Sequence, residues 1–405
     1  MMSGPLEGIR VADFTWVGAG PFLTKPLADH GADVVKIESR TRLDPIRSAR
    51  PFMDGVPGLN RSGYFSNRNS SKRSMCIDLK TPTGREVALK LIAQSDVVAN
   101  NFTPGTMDRL GIGYEDARAV RPDIIYLEMP MQGVDGPYRD HRGYGLTIGA
   151  MAGFLGLAGW PDRPPTGTGT NYPDHVPNPL QAATAVLAAL RHRRRTGLGS
   201  YIEVSQLEST INVLSEALVA HQLGEPGARR QGNVDRHLVP HGVFPCKGTD
   251  RWCAIAVETD GQWRELVRLL DAKALDDEFF STAAGRRDNA DLLDEKLARC
   301  TRGWDARTLA DVLTGGGVAA AVVNDARDLV ETDPQLAARQ HWVSLEHPEM
   351  GASIYDAPPY RLSRTPGSLR SPAPLLGEHT REVCVELLGM PPDEYERLVD
   401  EGVLG

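Results

Sequence analysis

Short apolar runs alternate with helical patterns through the first third of the chain. IRVADF (9–14) reads as a buried strand, Gly18-Ala19-Gly20 as the turn after it, and Pro21 as the first residue of a helix, where its missing N–H costs nothing. That helix runs to His30 and stops at Gly31, and ADVVKIE (32–38) is a second strand. CIDL (76–79), a helix from near Pro82 to Gln94, DVVAN (96–100) and DIIYLE (123–128) continue the alternation. A β/α alternation of this kind predicts an α/β fold around a mostly parallel sheet.

The stretch TNYPDHVPNPLQAATAVLAALRHRRRTGLGSYIEVS (170–205) joins a loop, a helix and a strand. Asn178 is a suitable N-cap and Pro179 a suitable first helical residue, after which Leu180, Ala183, Val186, Leu187 and Leu190 recur on one face. His192, Arg193, Arg194 and Arg195 occupy the last turn, where positive charge suits the helix dipole, and Gly197 and Gly199 end the helix before the strand YIEVS. Asp174 has no such structural duty, because Asn178 serves as the cap. By residue type alone it reads as a turn former more readily than as a nucleophile.

Beyond this stretch the pattern changes. LGEPGARRQGN (223–233) is polar and glycine-rich and reads as a linker, and WCAIAVE (252–258) with the helical QWRELVRLL (262–270) opens a smaller unit. The expected organisation is residues 1–220 for the first part of a large domain, 221–334 for a small domain with its linker, and 335–405 for a return to the large one. The last stretch, 375–404, reads as two amphipathic helices around a Pro-Pro break.

Composition narrows the classes. A net charge of −8 with no basic block except Arg191–Arg195, itself inside a helical pattern, argues against nucleic acid as a partner. No charged, apolar leader opens the chain and no run of about 18 apolar residues occurs, so neither a signal peptide nor a membrane span is expected. Five scattered cysteines point to a reducing, cytoplasmic compartment. Glu38 lies about 20 residues after the first glycine turn, as a dinucleotide fingerprint requires, but Leu23 stands where its third glycine belongs. His237, His241, Cys246 and Cys253 are zinc-type ligands at spacings that fit no compact zinc knuckle.

PLEGIRVADFTWVGAGP, HGADVVKIE, NSSKRSMCIDLKTPTG, NFTPGTMDRLGIGYE, the 171–210 segment and the terminal LLGEHTREV, in this order and spacing, resemble the family III CoA-transferases. That group includes formyl-CoA transferase, carnitine CoA-transferase and the α-methylacyl-CoA racemases. The resemblance spans almost the whole chain. It implies a Rossmann-like large domain, a smaller α+β domain, and a homodimer whose chains interlock. It also implies that Asp174 is the nucleophile, because a carboxylate attacking an acyl-CoA gives an anhydride that conserves the activation of the thioester. CoA then serves as substrate and product, with no tightly bound cofactor. The matching CoA contacts are Ile77, Lys80, Asn101, Phe102, Arg109 and Arg142. Backbone N–H groups at Gly18, or at a turn near Gly167 and Gly169, are candidate oxyanion donors.

The departures bear on the substrate. Formyl-CoA transferase has an arginine directly after the second strand; this chain has Ser39 and then Arg40. An active-site glutamine and glutamate of that enzyme are matched by Gly18 and Gly145, while Tyr144 is retained, and its glycine-run loop is replaced by HLVPHGVFPCKG. These changes argue against formate and oxalate and towards a larger acyl group, with succinyl-CoA as a possible donor. Three other readings stand beside CoA transfer. A racemase needs a histidine where Tyr144 stands, with His141 three residues away. A non-catalytic binding subunit of a hetero-oligomer would have no need of Asp174, and a nicotinamide enzyme would need the missing glycine.

Overall fold

The structure, a computed structural model, describes residues 4–225 and 229–405. The chain forms two compact units: Met1–Leu157, Pro165–Ala228 and Leu336–Gly405 make one, Ala158–Pro164 and Arg229–Gln335 the other. Part of the expected linker, residues 226–228, lies outside the described residues.

The first unit is built on β1 (Arg10–Asp13), α1 (Ala19–Asp29), β2 (Asp33–Glu38), α2 (Gly63–Arg68), β3 (Arg73–Cys76), α3 (Pro82–Ala93) and β4 (Val97–Asn100). There follow α4 (Thr106–Arg109), α5 (Tyr114–Val120), β5 (Ile125–Glu128), α6 (Gly145–Met151), α7 (Phe154–Leu157), α8 (Tyr172–His175), α9 (Pro177–Thr196), β6 (Ser200–Glu203) and α10 (Gln206–Ile211). The six strands form one parallel sheet in the order β3-β2-β1-β4-β5-β6. This is the order of dinucleotide-binding sheets, in which ligands bind beyond the carboxyl ends of the strands where the order reverses. Here the reversal falls between β1 and β4, so the loops after Asp13 and Asn100 border the expected crevice.

Alternate residues of each strand feed opposite faces, as the pleat requires. Ala12, Val35, Ile37 and Val98 pack with Val87, Leu91 and Ile92 of α3 and with Tyr395 and Leu398 near the C-terminus. On the other face, Val11, Val34, Val97 and Ile125 pack with Leu23 and Leu27 of α1 and with Ala182, Val186 and Ala189 of α9. Both faces are covered, which is why the central strands read as continuous apolar runs. Each fully buried leucine in these layers stabilises the fold by roughly 1.5–3 kcal/mol.

Several predicted boundaries move. The third strand ends at Cys76 instead of spanning CIDL, because Val35 to Glu38 pair with Arg73 to Cys76. Its polar residues hid it: on this sheet edge Ser74 Oγ accepts from Gly377 N at 3.0 Å, and the Thr380 hydroxyl accepts from Cys76 N at 3.1 Å. Helix α1 begins at Ala19, and Pro21 is its third residue, still among the first-turn N–H positions that have no helical partner. Helix α9 begins at Pro177 and Asn178 does not cap it. The Asn178 amide is fully buried and donates to Gln206 Oε1 at 3.3 Å, tying α9 to α10. The inward face of α9 is Ala182, Val186 and Ala189, which pack with Leu23 and Leu27 of α1. Leu180 and Leu187 remain 51% and 44% exposed. Near the C-terminus only Pro392–Asp400 is an α-helix; Glu382–Leu387 is a π-helical turn.

The second unit has an antiparallel sheet of β7 (His241–Pro245), β8 (Trp252–Ala256) and β9 (Ala319–Val322). The helix Asp260–Leu269 inserts Trp263 and Leu266 into its core. Cys246 and Cys253 are buried in that core, and no metal-holding group of His, Cys, Asp or Glu occurs among the described residues. No helix among them is long and apolar enough to cross a membrane.

Candidate active site

A cleft of about 750 Å³ opens in the first unit at the switch point of the sheet. It is lined by the loop after β1 (Trp16, Val17, Gly18), by Ile77 and Lys80 after β3, by Asn101 and Phe102 after β4, by Arg109, by Arg142 and Tyr144, and by Asp174. The structure thus brings together on one cleft residues spread over more than 150 positions of sequence. Gly145, expected in the substrate pocket, does not line the cleft; it meets Asp174 through its backbone N–H.

Asp174 sits in the single turn α8 and is 4% exposed. Gly145, the first residue of α6, donates its N–H to Asp174 Oδ2 at 3.2 Å. No cation pairs with the carboxylate among the described residues. Burial pushes its pKa up to about 6, against the smaller opposing effect of the Gly145 N–H. Close packing around it depends on two glycines. A Cβ at Gly145 would lie 2.8 Å from Asp174 Oδ2, and one at Gly18 would lie 3.0 Å from Asp174 Cβ. Neither Gly167 nor Gly169 reaches this centre: a Cβ at the first would meet only Leu146 and one at the second nothing within 4 Å.

The other expected contacts sort into two kinds. Lys80, Arg109 and Arg142 face the cleft, and among the described residues Arg109 makes only a neutral hydrogen bond, to the Thr106 hydroxyl at 3.0 Å. Phe102 stands edge-on to Trp16 with ring centroids 5.1 Å apart. Asn101, by contrast, is occupied: its Oδ1 accepts from Trp16 N and its Nδ2 donates to Trp16 O, both at 2.8 Å. Its side chain shapes the loop. Arg40 is turned towards the Gly405 carbonyl, whereas Arg42 lies on the cleft wall with its guanidinium 5.6 Å from the Trp16 ring. Glu38 is engaged by Arg47 through two bonds of 2.8 and 2.7 Å, fully buried, so it is not free to bind a ribose hydroxyl.

Tyr64, Arg68 and His175 escaped the sequence reading. The Tyr64 hydroxyl and His175 Nε2 are 3.1 Å apart, and His175 Nδ1 is 3.0 Å from the Thr170 hydroxyl. Burial, with the Arg68 guanidinium nearby, lowers the His175 pKa to about 4, so the ring is neutral near pH 7. A Cβ at Gly18 would come within 2.9 Å of the Tyr64 oxygen, which places Tyr64 against the same glycine as Asp174. The only sequence signal was the adjacency of Asp174 and His175; Tyr64 is 111 residues from His175.

Comparison with known proteins identifies the family. The family model of CoA-transferase family III matches residues 6–380. Succinyl-CoA–D-citramalate CoA-transferase of Chloroflexus aurantiacus is 31% identical over 99% of this chain and 98% of its own length. Succinate–glutarate CoA-transferase of Agrobacterium fabrum is 33% identical over 95% and 96%. The crystal structure of a CaiB/BaiF family protein from Brucella suis superposes with a TM-score of 0.87 at 31% identity, covering 96% of this chain and all of that one. With a family model matched over residues 6–380 and relatives similar across nearly their full length, the chain belongs to CoA-transferase family III.

Proposed function

We propose that the protein moves CoA from a dicarboxylic acyl-CoA, succinyl-CoA or a close analogue, to a second free carboxylic acid, with Asp174 as nucleophile. The observation that carries this reading is a buried carboxylate lining a cleft, held by one backbone N–H and, among the described residues, paired with no cation. The two relatives, which act on succinate with citramalate or glutarate, support a four- or five-carbon diacid.

In the first step an Asp174 oxygen attacks the thioester carbonyl, the C–S bond breaks, and CoA thiolate leaves an acyl-aspartyl anhydride. The thiolate attacks the aspartyl carbonyl of that anhydride, releasing the first acid and forming aspartyl-CoA thioester. The second acid attacks this thioester to give a new anhydride and thiolate. Attack of the thiolate on the acyl carbonyl then yields the new acyl-CoA and regenerates the Asp174 carboxylate. Lys80, Arg109 and Arg142 suit the phosphates of CoA, and Phe102 and Ile77 its apolar parts. Absence of a side chain at Gly18 leaves room on the cleft wall for the acyl group, and its absence at Gly145 brings backbone to the carboxylate. Burial serves the anhydride, which water would destroy.

The assembly proposed from the family resemblance is an interlocked homodimer, and the exposed Leu180 and Leu187 offer apolar surface for it. The chemical test is trapping. Incubation with a productive CoA ester and hydroxylamine should inactivate the protein and convert Asp174 to a hydroxamate seen by mass spectrometry, and modification of a different carboxylate would reassign the nucleophile.

A further inference from the structure

Val17 is a β-branched residue held at φ +64°, in the left-handed region where a side chain of its shape is strained. Such a conformation persists only where its surroundings impose it, and it concentrates at functional sites. The surroundings here are specific. In the loop after β1, Asp13 Oδ1 accepts from Thr15 N at 2.9 Å and Lys36 Nζ donates to Thr15 O at 2.7 Å. Asn101 takes both polar groups of Trp16, and Asp44 Oδ1 accepts from Val17 N at 3.0 Å. Lys36 and Asp44 are fully buried and paired at 3.0 Å. Asp44 Oδ1 also accepts from Ile46 N at 3.2 Å, so the carboxylate is fixed on both sides.

The residue after Val17 is Gly18, whose backbone abuts Asp174 so closely that a Cβ would be 3.0 Å from the Asp174 Cβ. A rotation at Val17 therefore moves the Gly18 backbone towards or away from the reacting carboxylate. We propose that Asp44 is a positioning residue for the Asp174 centre: backed by Lys36, it locks Val17 in the left-handed conformation and so sets the distance between Gly18 and Asp174. A charge-assisted hydrogen bond in a dry interior is strong enough to hold a strained peptide unit, where a neutral exposed one is not. This rests on the reading of Asp174 as nucleophile.

Glycine at position 17 provides the test, since it adopts positive φ without being held. Asp44→Ala should lower kcat for CoA transfer by about 10- to 100-fold, with KM for the CoA ester changed less than about threefold. The double variant Asp44→Ala with Val17→Gly should recover the kcat of Val17→Gly alone to within about threefold, while its Tm stays as low as that of Asp44→Ala. A role confined to stability gives no such rescue. A double variant as slow as Asp44→Ala, or Asp44→Ala with the kcat of the parent, overturns the proposal. Should Asp44→Ala not fold, Asp44→Asn is carried through the same comparison; failure of that variant to fold even with Val17→Gly shows that the pair serves the fold alone and also overturns it. Fluorine NMR of fluorotryptophan-labelled protein reads the loop without turnover: the Trp16 line should move in the Asp44 variant and return in the double variant. If it does so while the parent transfers no CoA, the transferase reading fails and the positioning stands; transfer by the parent with an unmoved Trp16 line refutes the positioning.

Discussion

The backbone N–H of Gly145 donates to Asp174 Oδ2 at 3.2 Å, and a Cβ added at position 145 would stand 2.8 Å from that oxygen. Gly145→Ala must therefore displace either the start of α6 or the carboxylate. We expect kcat to fall by about 100-fold, the cost of misplacing a reacting group by about 1 Å, with CoA binding intact. Steady-state kinetics beside calorimetric CoA titration measures both, and an alanine variant with parental kcat would show that the contact is incidental.

Burial sets a pH dependence. With its pKa near 6, Asp174 is mostly protonated at pH 5, so kcat/KM should drop about tenfold per pH unit below that value. Asp174→Ala should abolish transfer throughout. A profile flat down to pH 4.5 would place the nucleophile in a more polar setting.

The same shift makes a stability statement. The folded pKa of about 6 exceeds the ordinary 3.8, so stability present below about pH 4 is lost as pH rises through 6 and stays lost above it. Asp174→Asn removes the ionisation and should be more stable than the parent at pH 7.5, by on the order of 2–3 kcal/mol, but not at pH 4. Urea denaturation at the two pH values gives the comparison. Equal gains at both would trace the effect to packing.

Arg109 faces the cleft with, among the described residues, only the neutral Thr106 hydroxyl as partner. If it binds a CoA phosphate, Arg109→Gln should raise KM for CoA esters about tenfold and leave kcat within about twofold, and the loss should shrink as salt is added. A fall in kcat at constant KM would move Arg109 to the reacting end of the cleft.

Racemisation would need a base opposite Asp174. His175 is a weak one, with its pKa near 4, and Tyr144 stands 61% exposed on the cleft wall. A chiral 2-methylacyl-CoA incubated in deuterated water should keep its optical rotation and acquire no deuterium at the α-carbon. Uptake faster than CoA transfer would establish the racemase activity instead.

If the chains interlock as proposed, they cannot part without unfolding, and sedimentation should show a dimer at every dilution, with dissociation and unfolding coincident in denaturant. A folded monomer at low concentration would exclude threading.

What the chain determined alone was its layered alternation. β1, β2, β4 and β5 are covered on both faces and so carry apolar residues on both, as Val11 and Ala12 or Val34 and Val35 do, and Gly31 and Gly197 end helices by local backbone preference at φ +106° and +75°. Resemblance added Gly18, Ile77, Lys80, Asn101, Phe102, Arg109, Arg142, Tyr144 and Asp174, all of which line the cleft, but not Trp16, Val17 or Arg42, which line it too. Tertiary structure decided the rest, because the relevant partners are remote in sequence: Gly145 and Asp174 are 29 residues apart, Val17 and Asp44 27, Trp16 and Asn101 85. Asn178 shows why local signals were not enough. By type it is a helix cap, but the register of α9 leaves its amide buried against Gln206, and a buried amide is placed by whichever partner satisfies it. The third strand was misplaced for the same reason, since Ser74 reads as polar until Gly377 and His379 cover its hydrogen-bonding groups. Local preference fixes where backbone can turn; only the closed sheet decides which distant side chain meets it there.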